Sequence, residues 1–115
     1  MATEFDFDQL DAITGGDAEF EREVLEEYLN SAPGDLAKVR DAVLGSQAAT
    51  ASGAAHALKG ASGTIGAKGF AAIALEIEKA GKAGDVSTMG PVVERLEREF
   101  EALTVVLRAR IAKAA

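Results

Sequence analysis

The residues best suited to chemistry lie in one short stretch around the only histidine of the chain. His56 is followed by Lys59 three residues later, by Gly60 four residues later, and by Gly63. Positions i, i+3 and i+4 share one face of a helix. A helix here would place a cation and a strip of bare backbone beside the imidazole. Since each glycine inside a helix costs about 1 kcal/mol relative to alanine, we expect these glycines to permit close approach, either of another molecule or of a neighbouring helix.

This combination of side chains is suited to accepting a phosphoryl group. A solvent-facing imidazole is a nucleophile near neutral pH, and phosphoryl transfer depends mainly on positioning and on electrostatic stabilisation of the oxygens. The glycine-rich run at 60–66 lacks the GK[ST] ending of a nucleotide-binding loop. The stretch therefore predicts a phosphoryl acceptor rather than a complete enzyme.

The helix that carries His56 is predicted to bury a different face from the one that holds the histidine. Its small and apolar residues recur at helical spacing, and we expect them to face the core: Ala51, Ala55, Leu58, Ser62 and Ile65. His56, Lys59, Gly60 and Gly63 fall outside this stripe. The pattern therefore predicts that the imidazole faces solvent.

Helical periodicity continues through the rest of the chain, and no convincing alternating strand pattern occurs. A short first helix should end at Gly15-Gly16, and Asp17 should cap the second. Pro33-Gly34 is predicted to end that helix, with Asp35 capping a third. The histidine helix begins near Thr50, another follows Gly66, and the last begins within 87–91. We expect an all-α fold, an antiparallel up-down four-helix bundle with accessory N-terminal helix or helices, forming a single domain over residues 1–115.

A turn at Gly66 brings a glutamate to the level of the histidine. His56 lies ten residues before this glycine and Glu78 lies twelve after it. Because both helices rise about 1.5 Å per residue, the two side chains should lie at similar heights. Glu78 could then hold one imidazole nitrogen and leave the other facing solvent. Lys82 follows Glu78 at the i,i+4 spacing that favours an ion pair.

Composition excludes several classes of protein. The chain has 115 residues, a formal charge of −7 and no cysteine, so disulfides, thiolate metal sites and thiol catalysis are excluded. The negative charge argues against a nucleic-acid partner. No apolar run approaches the roughly 20 residues of a membrane span, and the acidic N-terminus does not resemble a signal peptide. We therefore expect a cytoplasmic protein that binds neither nucleic acid nor membrane and holds no cofactor or metal.

The run HALKGASGTIGA at 56–67 resembles the signature of histidine-containing phosphotransfer (HPt) domains, and Leu75-Glu76 with 79–81 resembles the next helix of that family. The resemblance implies a four-helix bundle that relays a phosphoryl group between receiver-domain aspartates and its own histidine. It implies that His56 is the phosphorylated residue, that Lys59 neutralises the phosphoryl charge, and that Gly60 lets the receiver approach. Ala61 stands where a serine is common, which removes none of these roles.

The same resemblance assigns roles to residues of the following helix. Glu78 falls where family members often place a polar partner of the imidazole, and Lys82 falls where some carry a second basic residue. The family binds no metal of its own, because magnesium resides in the receiver. The implied partners are response-regulator receiver domains and a hybrid histidine kinase.

The leading hypothesis is therefore a phosphocarrier, not an enzyme, which forms a covalent phosphohistidine at His56. An alternative is a non-phosphorylated helical adaptor that docks receiver or kinase domains through the same face. A haem or metal protein that uses His56 as a ligand is disfavoured, since bundle sites usually draw several ligands from facing helices. We expect a monomer because the charged face of the last helix shows no second apolar seam. The initial methionine favours a freestanding protein over a domain of a larger kinase.

Overall fold

The computed structural model describes residues 4–114 as a short helix followed by four long ones. These are α1 (Phe7–Thr14), α2 (Ala18–Leu44), α3 (Ala48–Thr64), α4 (Lys68–Lys82) and α5 (Gly90–Ala114). The long helices pack in a closed ring, α2 against α3, α3 against α4, α4 against α5 and α5 against α2. This is the predicted all-α bundle, with α1 as its accessory N-terminal helix. Within residues 4–114, no helix is both long and apolar enough to cross a membrane.

Local side-chain chemistry sets the first helix boundaries. The Asp6 carboxylate accepts a hydrogen bond from the backbone N–H of Gln9 and caps α1. Gly15 ends α1 in the left-handed conformation at φ 63°, which a glycine adopts without steric cost. Asp17 then caps α2 by accepting hydrogen bonds from two backbone N–H groups of its first turn. The predicted stop at Gly15-Gly16 and the cap at Asp17 are confirmed.

The predicted break at Pro33-Gly34 is wrong, and so is the separate helix capped by Asp35. α2 continues through Pro33 as one helix of 27 residues. Its buried residues keep helical spacing on both sides of the proline: Tyr28, Ala32, Leu36 and Val39. A proline inside a helix costs about 3 kcal/mol, whereas each large apolar side chain that becomes buried contributes about 1.5–3 kcal/mol. The continuous apolar stripe therefore outweighs the local signal of the proline.

The buried face of α3 is the predicted one, since all five residues of its stripe are shielded from solvent. Within that face, the Ser62 hydroxyl forms a 2.6 Å hydrogen bond with the Tyr28 hydroxyl of α2. Burial raises the pKa of Tyr28 to about 12, so the phenol stays protonated and the bond persists. This contact joins the buried faces of α2 and α3, while His56 lies on the exposed side of α3.

α1 is attached to the bundle through Arg110 of α5. The guanidinium donates to both carboxylate oxygens of Glu21 in α2, at 2.8 and 3.0 Å, and to Asp11 of α1 at 3.2 Å. It also lies 4.9 Å from the centre of the Phe7 ring. Leu10 of α1 is fully buried in the hydrophobic core. One side chain thus joins three helices at one end of the molecule.

Candidate functional site

A close approach between α3 and α4 positions the residues singled out by the sequence. Gly81 near the end of α4 lies against the start of α3: a Cβ atom there would be 2.6 Å from the Ala48 carbonyl oxygen and 2.7 Å from Ser52 Cβ. At the other end of the hairpin, Gly66 turns the chain with φ +100°. The two helices therefore run side by side, with side chains of α4 directly beside the middle of α3.

His56 projects from α3 into solvent and is held from behind by Glu78 of α4. The imidazole side chain is 67% exposed, whereas the Glu78 side chain is 2% exposed. The His56 Nδ1 and Glu78 Oε2 atoms are 3.0 Å apart. Because an ionised carboxylate can only accept hydrogen bonds, Nδ1 carries the proton and donates it. The other ring nitrogen, Nε2, then has its lone pair directed to solvent.

Two lysines share the same carboxylate. Lys59 Nζ lies 2.7 Å from Glu78 Oε1, and Lys82 Nζ lies 3.1 Å from Oε2. Lys59 first, then Lys82 and His56, lower the pKa of Glu78 to about 2 against the opposing effect of burial. Glu78 is therefore ionised at neutral pH. One carboxylate and two ammonium groups leave an excess of positive charge beside the imidazole, which favours an anion there.

The structure brings His56, Lys59, Glu78 and Lys82 into one cluster, but not in the arrangement expected for Lys59. Its ammonium contacts Glu78 rather than standing alone beside the ring. The burial of Glu78 was also missed, although the sequence carried a signal for it. The inward residues of α4 are Phe70, Ala74, Ile77 and Gly81, and position 78 belongs to the same stripe. A glutamate on an apolar stripe requires cationic partners.

Gly60 and Gly63 form bare backbone near His56 on the surface of α3. Gly60 is exposed and Gly63 is half-buried. A Cβ atom built at either position would have no neighbouring atom within 4 Å. The interpretation that these two glycines permit tight packing of another helix of this chain is therefore wrong. Gly81, by contrast, does permit such packing, a role that the sequence analysis did not assign to it.

No group of three or more histidine, aspartate or glutamate side chains within residues 4–114 is arranged to hold a metal ion. The His56 cluster itself offers one carboxylate, which is hydrogen-bonded to His56 and ion-paired with two lysines. Its chemistry is that of a nucleophile beside cations.

Comparison with known families agrees with this geometry. The family model of the Hpt domain matches residues 23–105, which is well over half of the chain. The chain belongs to the Hpt domain family. Membership gives it a histidine phosphotransfer role in phosphorelays. No curated protein matches the sequence.

Two solved structures show the same fold as this Hpt domain. Histidine-containing phosphotransfer protein B (HptB) from Pseudomonas aeruginosa PAO1 is similar with a TM-score of 0.89 and 20% identity, over 98% of each chain. The HPT domain of a sensor hybrid histidine kinase from Shewanella is similar with a TM-score of 0.79 and 21% identity, over 98% of this chain and 97% of that one. At these identities the likeness concerns the bundle and not individual side chains.

Proposed function

We propose that His56 is the residue of this Hpt domain that carries the phosphoryl group. The observation that supports this most strongly is the exposed imidazole whose Nδ1 is bonded to the buried Glu78. In the reaction, the Nε2 lone pair attacks the phosphorus of an aspartyl phosphate on the partner. The phosphorus–oxygen bond to the aspartate breaks, and the carboxylate leaves with the bonding electrons. The proton on Nδ1 stays there, and Glu78 faces the positive charge that the ring acquires.

Glu78 orients the imidazole in this proposal, and the two lysines supply positive charge for the phosphoryl oxygens. Lys59 and Lys82 each lie within about 3 Å of a Glu78 oxygen. Charge stabilisation of this kind is the main contribution that a protein makes to phosphoryl transfer. The same cations would stabilise the phosphorylated state once the partner has left.

Gly60 and Gly63 would serve as contact points for the partner. Hpt domains interact with receiver domains and with hybrid kinases, and the transfer requires that the partner's aspartate reach Nε2. The absence of side chains next to the imidazole allows a partner backbone to come close. The open space above both glycines supports this assignment. The cognate partners in this proposal are response-regulator receiver domains and a hybrid histidine kinase.

The wider proposal is a single Hpt domain over residues 1–115 that acts in the cytoplasm as a monomeric phosphocarrier rather than as an enzyme. The outward face of α5 supports the monomer, because its exposed residues include charges of both signs at Glu94, Arg98 and Glu101. We expect no nucleic-acid or membrane partner. The adaptor without phosphotransfer is not favoured by membership of the Hpt family.

The test is phosphotransfer from a panel of phosphorylated receiver domains to the purified protein. The wild-type protein should acquire an acid-labile, alkali-stable label carried on Nε2, since Nδ1 is engaged by Glu78. His56→Gln should acquire none, because it removes the nucleophile while preserving a polar side chain at an exposed position. A label that survives in His56→Gln, or a wild-type protein that binds receivers without any label, would overturn the proposal.

A further inference from the structure

The two oxygens of Glu78 differ in the groups that they contact. Oε2 contacts both His56 Nδ1, at 3.0 Å, and Lys82 Nζ, at 3.1 Å. Oε1 is buried and accepts no hydrogen bond within residues 4–114, and its one cationic neighbour there is Lys59 Nζ, an ion-pair contact at 2.7 Å. If Lys82 leaves, Oε2 keeps its bond from the imidazole. If Lys59 leaves, the buried Oε1 loses its neighbouring counterion as well, which is strongly unfavourable for a carboxylate.

The two lysines also differ in their freedom to move. The Lys59 side chain is 30% exposed, whereas the Lys82 side chain is 68% exposed and belongs to the last residue of α4. A lysine ammonium on a flexible four-carbon stem can rotate to a new anion at little cost when its stem is in solvent. Lys82 and the imidazole contact the same oxygen of Glu78, so the Lys82 ammonium already lies close to the ring.

We propose that the two lysines have separate tasks: Lys59 remains on Glu78 as the permanent counterion that keeps the imidazole oriented, and Lys82 leaves Oε2 to bind the phosphoryl oxygens on His56. This inference rests on the proposed phosphorylation of His56. It differs from the assignment that the motif suggests, in which Lys59 is the main phosphoryl partner. Lys59 then positions the imidazole through Glu78 and acts on the phosphoryl group only through its charge at a distance, whereas Lys82 touches the transferred group.

The test follows the side-chain ammonium groups and the phosphohistidine in the same samples. The protein is labelled with ¹⁵N-lysine and phosphorylated with phosphoramidate, whose phosphorus–nitrogen bond breaks as ammonia leaves and the bond to Nε2 forms. The Lys82 Nζ resonance should shift on phosphorylation, whereas the Lys59 Nζ resonance should keep its position. Lys82→Gln should shorten the lifetime of the phosphohistidine about tenfold or more, as expected for loss of one charge-assisted hydrogen bond. It should lower the urea midpoint less than Lys59→Gln does, because Oε2 keeps its bond from the imidazole.

Matched variants separate this effect from a general change of charge. Lys79→Gln removes the same charge from the same last turn of α4, at an exposed position, and should leave the lifetime unchanged. Lys59→Gln should lower the urea midpoint and shift the His56 Nδ1 resonance in the unphosphorylated protein, and Lys59→Arg should restore both because the charge remains.

Three results would contradict the inference. A Lys59 resonance that shifts while that of Lys82 stays, or equal lifetimes in the wild type and Lys82→Gln, would reverse or remove the division between the lysines. In both cases phosphorylation of His56 itself would stand. Absence of any wild-type phosphohistidine, with either phosphoramidate or phosphorylated receivers, would instead overturn the proposed function and this inference with it.

Discussion

Glu78 is a buried acid whose ionisation links the site to the stability of the bundle. Lysines 59 and 82 hold its pKa at about 2 in the folded protein, below the ordinary value of 4.5. A depressed folded-state pKa contributes stability above the unfolded-state value, and this contribution is lost as the pH falls through the folded-state value. The contribution of Glu78 should therefore be complete above pH 4.5 and should disappear as the pH falls towards 2.

The check is urea unfolding of the wild type and of Glu78→Gln across that pH range. The wild type should lose stability relative to the variant as the pH falls, because only the wild type has this carboxylate to protonate. Glu23→Gln serves as the control, since Glu23 is an exposed glutamate of α2. A gap between the wild type and Glu78→Gln that stays constant from pH 4.5 to pH 2 would show that Glu78 does not make this contribution.

At the level of single residues, the sequence predicted the pairing of His56 with Glu78, because counting residues from Gly66 places both at the same height on adjacent helices. The i,i+4 spacing also predicted the ion pair of Lys82 with Glu78, but the sequence did not predict that Lys59 would contact the same carboxylate. Helical spacing fixes which face a residue occupies, whereas the direction of a long side chain depends on the nearest unpaired charge. That charge could be identified only once Glu78 was known to be buried.

Among the helices, the contact between α3 and α4 depends on Gly81. Gly81→Ala would place a methyl group against the Ala48 backbone and Ser52, so the helices must separate. We expect a loss of about 1–3 kcal/mol in the free energy of unfolding, as for other overpacked sites, together with a weaker bond between His56 Nδ1 and Glu78. Urea titration and the His56 ¹⁵N shifts measure the two effects.

Gly53→Ala is the matched control within α3, because a Cβ atom there meets nothing within 4 Å. It should stabilise the protein by about 0.5–1 kcal/mol through the gain in helix propensity. If both variants stabilise the protein to the same extent, Gly81 is not what lets the two helices approach.

The helices themselves were predictable except at Pro33. Apolar spacing and capping residues predicted α1, α3, α4 and α5 with boundaries within a few residues of those observed. At Pro33 the tendency of proline to end a helix competes with burial of the apolar stripe of α2. The strength of the second effect depends on what α2 packs against. The unbroken spacing of Tyr28, Ala32 and Leu36 is the sequence signal that the helix continues through Pro33.

For the molecule as a whole, the attachment of α1 depends on Arg110. Arg110→Ala would leave Glu21 poorly paired, although its side chain is only 9% exposed, and would remove the bond to Asp11. We expect a loss of about 1–3 kcal/mol and faster amide hydrogen exchange in α1, with little change in α3 and α4. Arg108→Ala, at an exposed position two residues earlier, should stay within about 0.5 kcal/mol of the wild type. Equal exchange of α1 in both variants would rule out this role.

The contacts of Arg110 with Glu21 and Asp11 could not be predicted from the sequence. The contacting residues are separated by 89 and 99 positions, and no periodic pattern connects them. Charged residues at a helix end are usually solvated, so Arg110 gave no sign that it would face a buried glutamate.

Because the helices differ in length, the two ends of the bundle are formed by different sets of helices. α2 and α5 have 27 and 25 residues, whereas α3 and α4 have 17 and 15. α2 and α5 therefore extend beyond the turn at Gly66. α1 occupies the space next to their projecting ends, beyond the ends of α3 and α4. His56 lies eight residues before the end of α3 at Thr64, about 12 Å along the helix axis. Changes at the end formed by α1, the start of α2 and the end of α5, such as a fusion or a stabilising substitution, should therefore leave the chemistry of the imidazole unaltered.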